Sequence, residues 1–191
     1  MSNLFEHQAK PHRGSLLLAE PFMWDPNFKR SVVLLCEHKD ETGTFGLIVN
    51  RPLDITLGDV MPDLLYFDVP LYFGGPLDPN TLHYIHRHGN KLNDCIHIGH
   101  GIYWGGNFGQ LKDLIADKEI ERNDIRFFIG YSSWQEKQLA EELREGSWIV
   151  SEANIEHVFG DKPQHLWKNV LEGMGGLYRE IAGYPEDPGL N

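Results

Sequence analysis

The stretch Phe45-Gly-Leu-Ile-Val-Asn-Arg-Pro-Leu53 constrains this chain more than any other segment. Leu47 to Val49 is a short apolar run that reads as a buried strand, and Gly46 lets the backbone turn or approach a neighbour closely. Asn50 and Arg51 place an amide and a fixed guanidinium fork at the strand's end. Pro52 then lacks the N–H that further ladder pairing would need. Polar groups where a strand stops are a common setting for a binding site.

Upstream, Ser31-Val-Val-Leu-Leu-Cys-Glu-His38 is a continuous apolar run, as expected of a central strand. The polar segment Lys39-Asp-Glu-Thr-Gly-Thr44 turns it back, which predicts an antiparallel hairpin. Arg30 and His38 bracket the first strand of that hairpin and Asn50 and Arg51 close the second. One cleft is therefore expected around Arg30, His38, Asn50 and Arg51, with Tyr131, Trp134 and Gln138 supplying an aromatic and polar wall. Arg51 would meet an anionic group there, or else make a structural ion pair.

The rest of the chain mixes strands and helices without regular alternation, so α+β is the expected class. Gly14 to Pro21, Leu71 to Phe73, Thr81 to Arg87, Cys95 to Ile98, Ile125 to Tyr131 and Trp148 to Val150 read as further strands. Thr56 to Met61, Asn107 to Ile115, Gln135 to Glu145, Asn154 to Phe159 and His165 to Tyr178 read as helices, with Thr56 and Asn107 as caps. The loop Phe22-Met-Trp-Asp-Pro-Asn-Phe28 carries so many large apolar groups that it must pack on something. Residues 1–13 read as an arm, 14–183 as a single domain and 184–191 as a loose, Pro- and Gly-rich tail.

The chain has 191 residues, 28 acidic against 17 basic, and a net charge of -11. That balance opposes phosphate backbones and anionic lipid surfaces, so direct nucleic-acid or membrane binding is not expected. No apolar segment approaches the roughly 20 residues that span a bilayer, so a cytoplasmic protein is expected. Cys36 and Cys95 lie in unrelated contexts and read as reduced thiols.

Three constellations suggest chemistry. Gly130-Tyr-Ser-Ser-Trp134 sits between a strand and a helix, as a nucleophile elbow would, but Trp134 stands where a second glycine is needed. Ser132 or Ser133 as a helix cap, with Glu136 completing a capping box, is the simpler reading. His86, His88, His97 and His100 are close in sequence, yet their spacing matches no closed zinc site, and no metal or other cofactor is expected. Gly74-Gly75-Pro76 and Gly105-Gly106-Asn107 lack the lysine of a phosphate-binding loop and read as turns. The acidic run from Glu136 to Glu145 reads as a solvated helix face.

Taken together, Gly14-Ser-Leu-Leu-Leu-Ala-Glu-Pro, Met23-Trp-Asp-Pro-Asn-Phe28, Arg30 to His38, Gly46 to Leu53, Gly74-Gly-Pro-Leu77 and Gly130-Tyr131 with Trp134 and Gln138-Leu139 resemble the YqgE/AlgH family of bacterial proteins. The resemblance implies a single compact α+β domain, a bifurcated mixed sheet with a barrel-like part, surrounded by helices. Many relatives read Gly-Tyr-Ala-Gly-Trp-Gly-Pro-Gly-Gln-Leu-Glu where this chain reads Gly130-Tyr-Ser-Ser-Trp-Gln-Glu-Lys-Gln-Leu-Ala140, which argues against a serine nucleophile. The family's label of transcriptional regulator implies regulation. With no helix-turn-helix and this charge, regulation would act through a protein or a small anionic ligand. The expected function is a non-enzymatic binding or regulatory protein. The alternatives are a hydrolase using Ser132, Ser133 or a His-held metal, and a direct DNA binder.

Overall fold

Apolar runs become strands in the computed structural model, which describes residues 9–39 and 41–186. The strands are β1 (Ser15–Ala19), β2 (Val32–Lys39), β3 (Gly43–Ile48), β4 (Pro52–Thr56), β5 (Pro70–Phe73), β6 (Leu77–His86), β7 (Ile96–Gly99), β8 (Ile102–Trp104), β9 (Ile125–Trp134) and β10 (Trp148–Glu152). The helices are α1 (Leu57–Val60), α2 (Phe108–Ala116), α3 (Gln138–Arg144), α4 (Ile155–Phe159), α5 (Leu166–Met174) and α6 (Gly176–Ile181).

One antiparallel path runs β10-β1-β2-β3-β9-β6-β8-β7. Strand β9 is where the sheet forks. Along one edge it pairs with β6, from Ile125↔His86 to Tyr131↔Leu77. Along the other it pairs first with β5, in parallel over Phe127–Ile129, and then with β3, antiparallel over Ser132–Trp134. Strand β4 adds to β5, so the sheet is mixed as well as forked. At its far end β7 comes back beside the start of β1, where a Cβ on Gly14 would lie 2.6 Å from the Ile98 carbonyl oxygen. The sheet therefore curls like a barrel but is not closed by a ladder between its end strands β7 and β10.

Gly74 sits in the fork, donating its N–H to Ile129 O at 2.9 Å and accepting from Ile48 N at 2.9 Å. Its neighbour Gly75 has φ +153, and a Cβ there would lie 2.2 Å from the Tyr131 carbonyl. No side chain fits at that point.

Strand β1, Val32 to Cys36 of β2 and Gly46 to Ile48 of β3 are buried on both faces, which is why these runs are apolar rather than alternating. Leu16, Leu18, Leu34 and Leu47 pack with Val158, Trp167, Val170 and Leu171 of α4 and α5. Leu17, Ala19, Val33 and Ile48 face the other way, onto Trp134, Leu139 and Trp148. A further cluster joins Leu71 and Phe127 to Leu57 of α1 and to Leu111 and Ile115 of α2.

Several expectations need correction. Pro52 does not end pairing: Arg51 O still accepts from Phe73 N, and β4 resumes at Pro52 against Tyr72. Strand β9 continues through Ser132 and Ser133, because Gly46 and Phe45 offer them a ladder. Neither serine caps a helix. Helix α3 starts only at Gln138, after Lys137 in a left-handed conformation (φ +65) with no side-chain cap. The last expected helix is broken at Gly175, φ +71, into α5 and α6. Asn107 does cap α2, accepting from Gln110 N. Residues 1–8 of the expected arm and 187–191 of the expected tail lie outside the described residues; Tyr184, by contrast, stacks on Phe22 at 5.9 Å.

Two glycine substitutions test this account. Gly75→Ala is expected to lower stability by more than about 3 kcal/mol or to prevent folding. Gly173→Ala, on α5 with open space around the new Cβ, is expected to raise it by roughly 0.5–1 kcal/mol. Urea unfolding of both variants checks the pair.

Candidate functional site

The hairpin of β2 and β3 brings Arg30, Asn50 and Arg51 to one end and leaves His38 at the other, beside the turn. Asn50 is buried, and its amide bridges two backbones: Oδ1 accepts from Val32 N at 2.8 Å and Nδ2 donates to Arg30 O at 2.9 Å. Arg51 donates through Nη1 to Pro26 O (3.1 Å) and Asn27 O (2.6 Å), and through Nη2 to Lys29 O (2.6 Å). Burial lowers its pKa, with Asp25 pulling the other way. Its fork lashes the loop of residues 20–31 rather than joining a carboxylate.

That loop is tied in several further ways. Asp25 accepts from Asn27 N through its side chain and from Phe28 N and Lys29 N through its carbonyl. Phe28 packs edge-on against Trp148 at 5.5 Å and lies 6.2 Å from Trp134. Arg30 adopts φ +56, donates to Tyr184 O at 2.6 Å and lies over the Trp167 ring at 4.1 Å. Phe28 and Met23 thus satisfy the expectation that the apolar loop packs inward. Trp24 does not: it is 96% exposed at the tip. The sequence reading missed it, since nothing local says which of several apolar residues in a loop stays outside.

The other expected site residues sit elsewhere. His38 Nδ1 lies 2.7 Å from Thr44 Oγ1 across the hairpin. Trp134 and Trp148 both donate their indole N–H to Glu142 Oε2, at 2.8 and 2.7 Å. Gln138 donates to the other oxygen of the same carboxylate and accepts from Gln135 N. Glu142 therefore turns inward from the acidic run expected to be solvated. Tyr131 donates to Asp78 Oδ2 at 2.9 Å and joins a partly buried ring cluster, with Phe45 at 5.1 Å and His83 at 5.6 Å. The seven candidates divide among these four places and do not line one cleft.

The serine and histidine constellations are likewise resolved into contacts. Ser132 is buried and donates to Gly74 O at 3.2 Å. His86 contacts Gly105 O at 2.9 Å, His88 pairs with Asp124 at 3.0 Å, and His97 packs on Tyr103. Among the described residues no three His, Cys, Asp or Glu side chains are grouped to hold a metal ion. His100 instead reaches Glu152, whose other oxygen pairs with His12 at 2.9 Å. Cys36 is buried, which pushes its thiol pKa up, and Cys95 is half-buried; both are free.

No helix among the described residues is long and apolar enough to cross a membrane. A family model described as AlgH-like matches residues 16–179. A UPF0301 protein of Cytophaga hutchinsonii is 43% identical over 94% of this chain and 98% of its own length. UPF0301 protein CT0663 of Chlorobaculum tepidum is 39% identical over the whole of both chains. The crystal structure of DIP2367 from Corynebacterium diphtheriae superposes with a TM-score of 0.81 at 24% identity, over 95% of this chain and 98% of that one. The solution structure of the AlgH protein from Pseudomonas aeruginosa gives 0.71 at 24% identity, over 94% and 98%.

Two outcomes follow from these contacts. Arg51→Ala removes the three ties to the loop and is expected to cost about 2–4 kcal/mol in urea unfolding, with faster amide exchange over residues 26–31. His12 has its pKa raised above 6.5 by the Arg13 carbonyl and then by Glu152. A raised native pKa gives stability that is complete below the unfolded value and disappears as pH climbs through the native one. Between roughly pH 6 and 8 the wild type is expected to lose more stability than Glu152→Gln, and the NMR titration midpoint of His12 to fall in that variant.

Proposed function

The chain belongs to the AlgH-like family, and on that premise we propose that it is a non-enzymatic cytoplasmic binding protein that recognises a protein partner through the loop bearing Trp24. The observation that carries this reading is an indole 96% exposed on a loop held by Arg51. A large aromatic group in water is unfavourable unless something covers it. A loop already fixed in one conformation loses little entropy when that happens. Tryptophan on a rigid support is also the residue type that most often dominates binding at an interface.

In this reading Arg30, Asn50 and Arg51 act as supports for the loop, and their bonds to backbone carbonyls are what keep Trp24 presented. Regulation by such a protein would run through its partner. Direct DNA contact fits poorly with a net charge of -11. Hydrolysis by Ser132 fits poorly with a hydroxyl donating to Gly74 O inside a strand.

Placing a photo-crosslinking phenylalanine analogue at position 24, in the cells that make the protein, tests this directly. A discrete protein adduct is expected from position 24 and not from Val60 on α1, itself 45% exposed. Excess wild-type chain should compete the adduct away, and excess Trp24→Ala should not. An absent adduct at 24, or the same adduct at both positions, rejects the reading.

A further inference from the structure

Where β6 ends and β9 begins, three arginines gather without an acidic partner. Arg87, Arg122 and Arg126 take part in no ion pair among the described residues. In a chain with 28 acids against 17 bases, a cation normally has an acid to hand. Arg126 is the deepest of the three. It is 7% exposed, in a half of the strand otherwise made of Ile, Phe and Gly, from Ile125 to Gly130. Its guanidinium lies 4.7 Å from the Tyr72 ring centre, donates Nη1 to Val49 O at 3.2 Å and donates Nη2 to Gly160 O. A guanidinium has five N–H donors, so these two bonds leave others open.

The neighbouring cations are less engaged still. Arg122 reaches Tyr66 O only at 3.5 Å. Arg87 lies over the Phe159 ring at 4.6 Å, its side chain makes no hydrogen bond among the described residues, and its Nε is buried without a partner. Burial is the main cause lowering the Arg126 pKa and Arg87 lowers it further, while Tyr72 and Asp161 act in the opposite sense. Carbonyl bonds satisfy donors but do not cancel a charge, and a buried charge without a counter-ion is costly.

Arg122 and Arg126 line a cleft of about 270 Å³ together with Pro70, Tyr72, Phe159 and Asp161, with Asp68 also on its wall, while Arg87 stands behind it on the Phe159 ring. We propose that this cleft binds a small organic anion, whose carboxylate or phosphate group meets Arg126 and Arg122 and whose apolar part lies against Tyr72 and Phe159. A guanidinium fork matches either group with paired N–H bonds. The exposed carboxylates of Asp68 and Asp161 work against a bare, multiply charged ion, and the two rings favour an anion with an apolar body. This site is independent of the Trp24 loop, and its fate does not decide that reading.

The test is an NMR titration of the ¹⁵N-labelled full chain at low salt, following the arginine Nε–H signals with benzoate, phenyl phosphate and inorganic phosphate as probes. Arg126→Met serves to identify the Arg126 signal. Saturable shifts of the Arg126 and Arg122 signals are expected with at least one organic probe, and the tighter of the two tells carboxylate from phosphate. Inorganic phosphate is expected to bind about tenfold more weakly, and raising the salt to weaken every probe. Should Arg126→Met fail to fold, Arg122→Gln carries the test, because its exposed side chain leaves the fold intact. That variant is expected to weaken binding roughly fivefold. Absence of saturable shifts, unchanged affinity in Arg122→Gln, or inorganic phosphate binding as well as the organic probes would each overturn the proposal.

Discussion

Everything in this fold is arranged around one strand with more neighbours than an ordinary strand can hold. Strand β9 keeps β6 along one edge and divides the other between β5 and β3. Two strands can share an edge only if one leaves it where the next arrives, and the backbone groups at that point need partners of their own. Gly74 meets the need by bonding to β9 through its N–H and to β3 through its carbonyl. Gly75 then passes so close to Tyr131 that only hydrogen fits. Because the fork fixes where β3 stops, it also fixes where Asn50 and Arg51 stand.

From there the polar pair takes over. Asn50 ties the start of β2 to the end of β3, and Arg51 gathers three carbonyls of the loop before β2. A lysine could not replace it, since a single ammonium has neither the planar fork nor the reach to hold three acceptors in that arrangement. The loop's shape thus depends on polar bonds and on Phe28 against two tryptophans, not on covering Trp24. An apolar side chain that contributes nothing to its own loop's fold is free to serve another surface.

The local pattern carried the hairpin, the capped helix α2 and the first half of β9, because each shows its periodicity or cap within a dozen residues. Strands β4 and β8 were not visible. Each is only 3–5 residues long, one begins with proline, and both exist because a partner strand lies beside them. The stretch from Ser132 to Trp134 shows the same limit more sharply. Ser133 and Glu136 have capping-box spacing, yet the ladder to β3, more than eighty residues away in sequence, prevails over the local signal. Site residues were legible as donors and acceptors but not as pairs. Arg51 was visible as a fork at a strand end; that its acceptors are carbonyls 22 to 25 residues upstream was not.

Arg126 was the overlooked clue. An arginine between Ile125 and Phe127 in a buried strand contradicts its surroundings, and net charge conceals it because a total of -11 says nothing about one end of the molecule. One structural role is plain: the side chain ties Val49 to Gly160. A neutral amide could donate to both carbonyls without the cost of burying a charge. A tie therefore accounts for the hydrogen bonds but not for the cation, and still less for Arg87 and Arg122 beside it. Three guanidinium groups held together against their mutual repulsion, with Asp68 and Asp161 left exposed at the rim, fit the proposed anion better than a purely structural role, since among the described residues none of the three makes an ion pair.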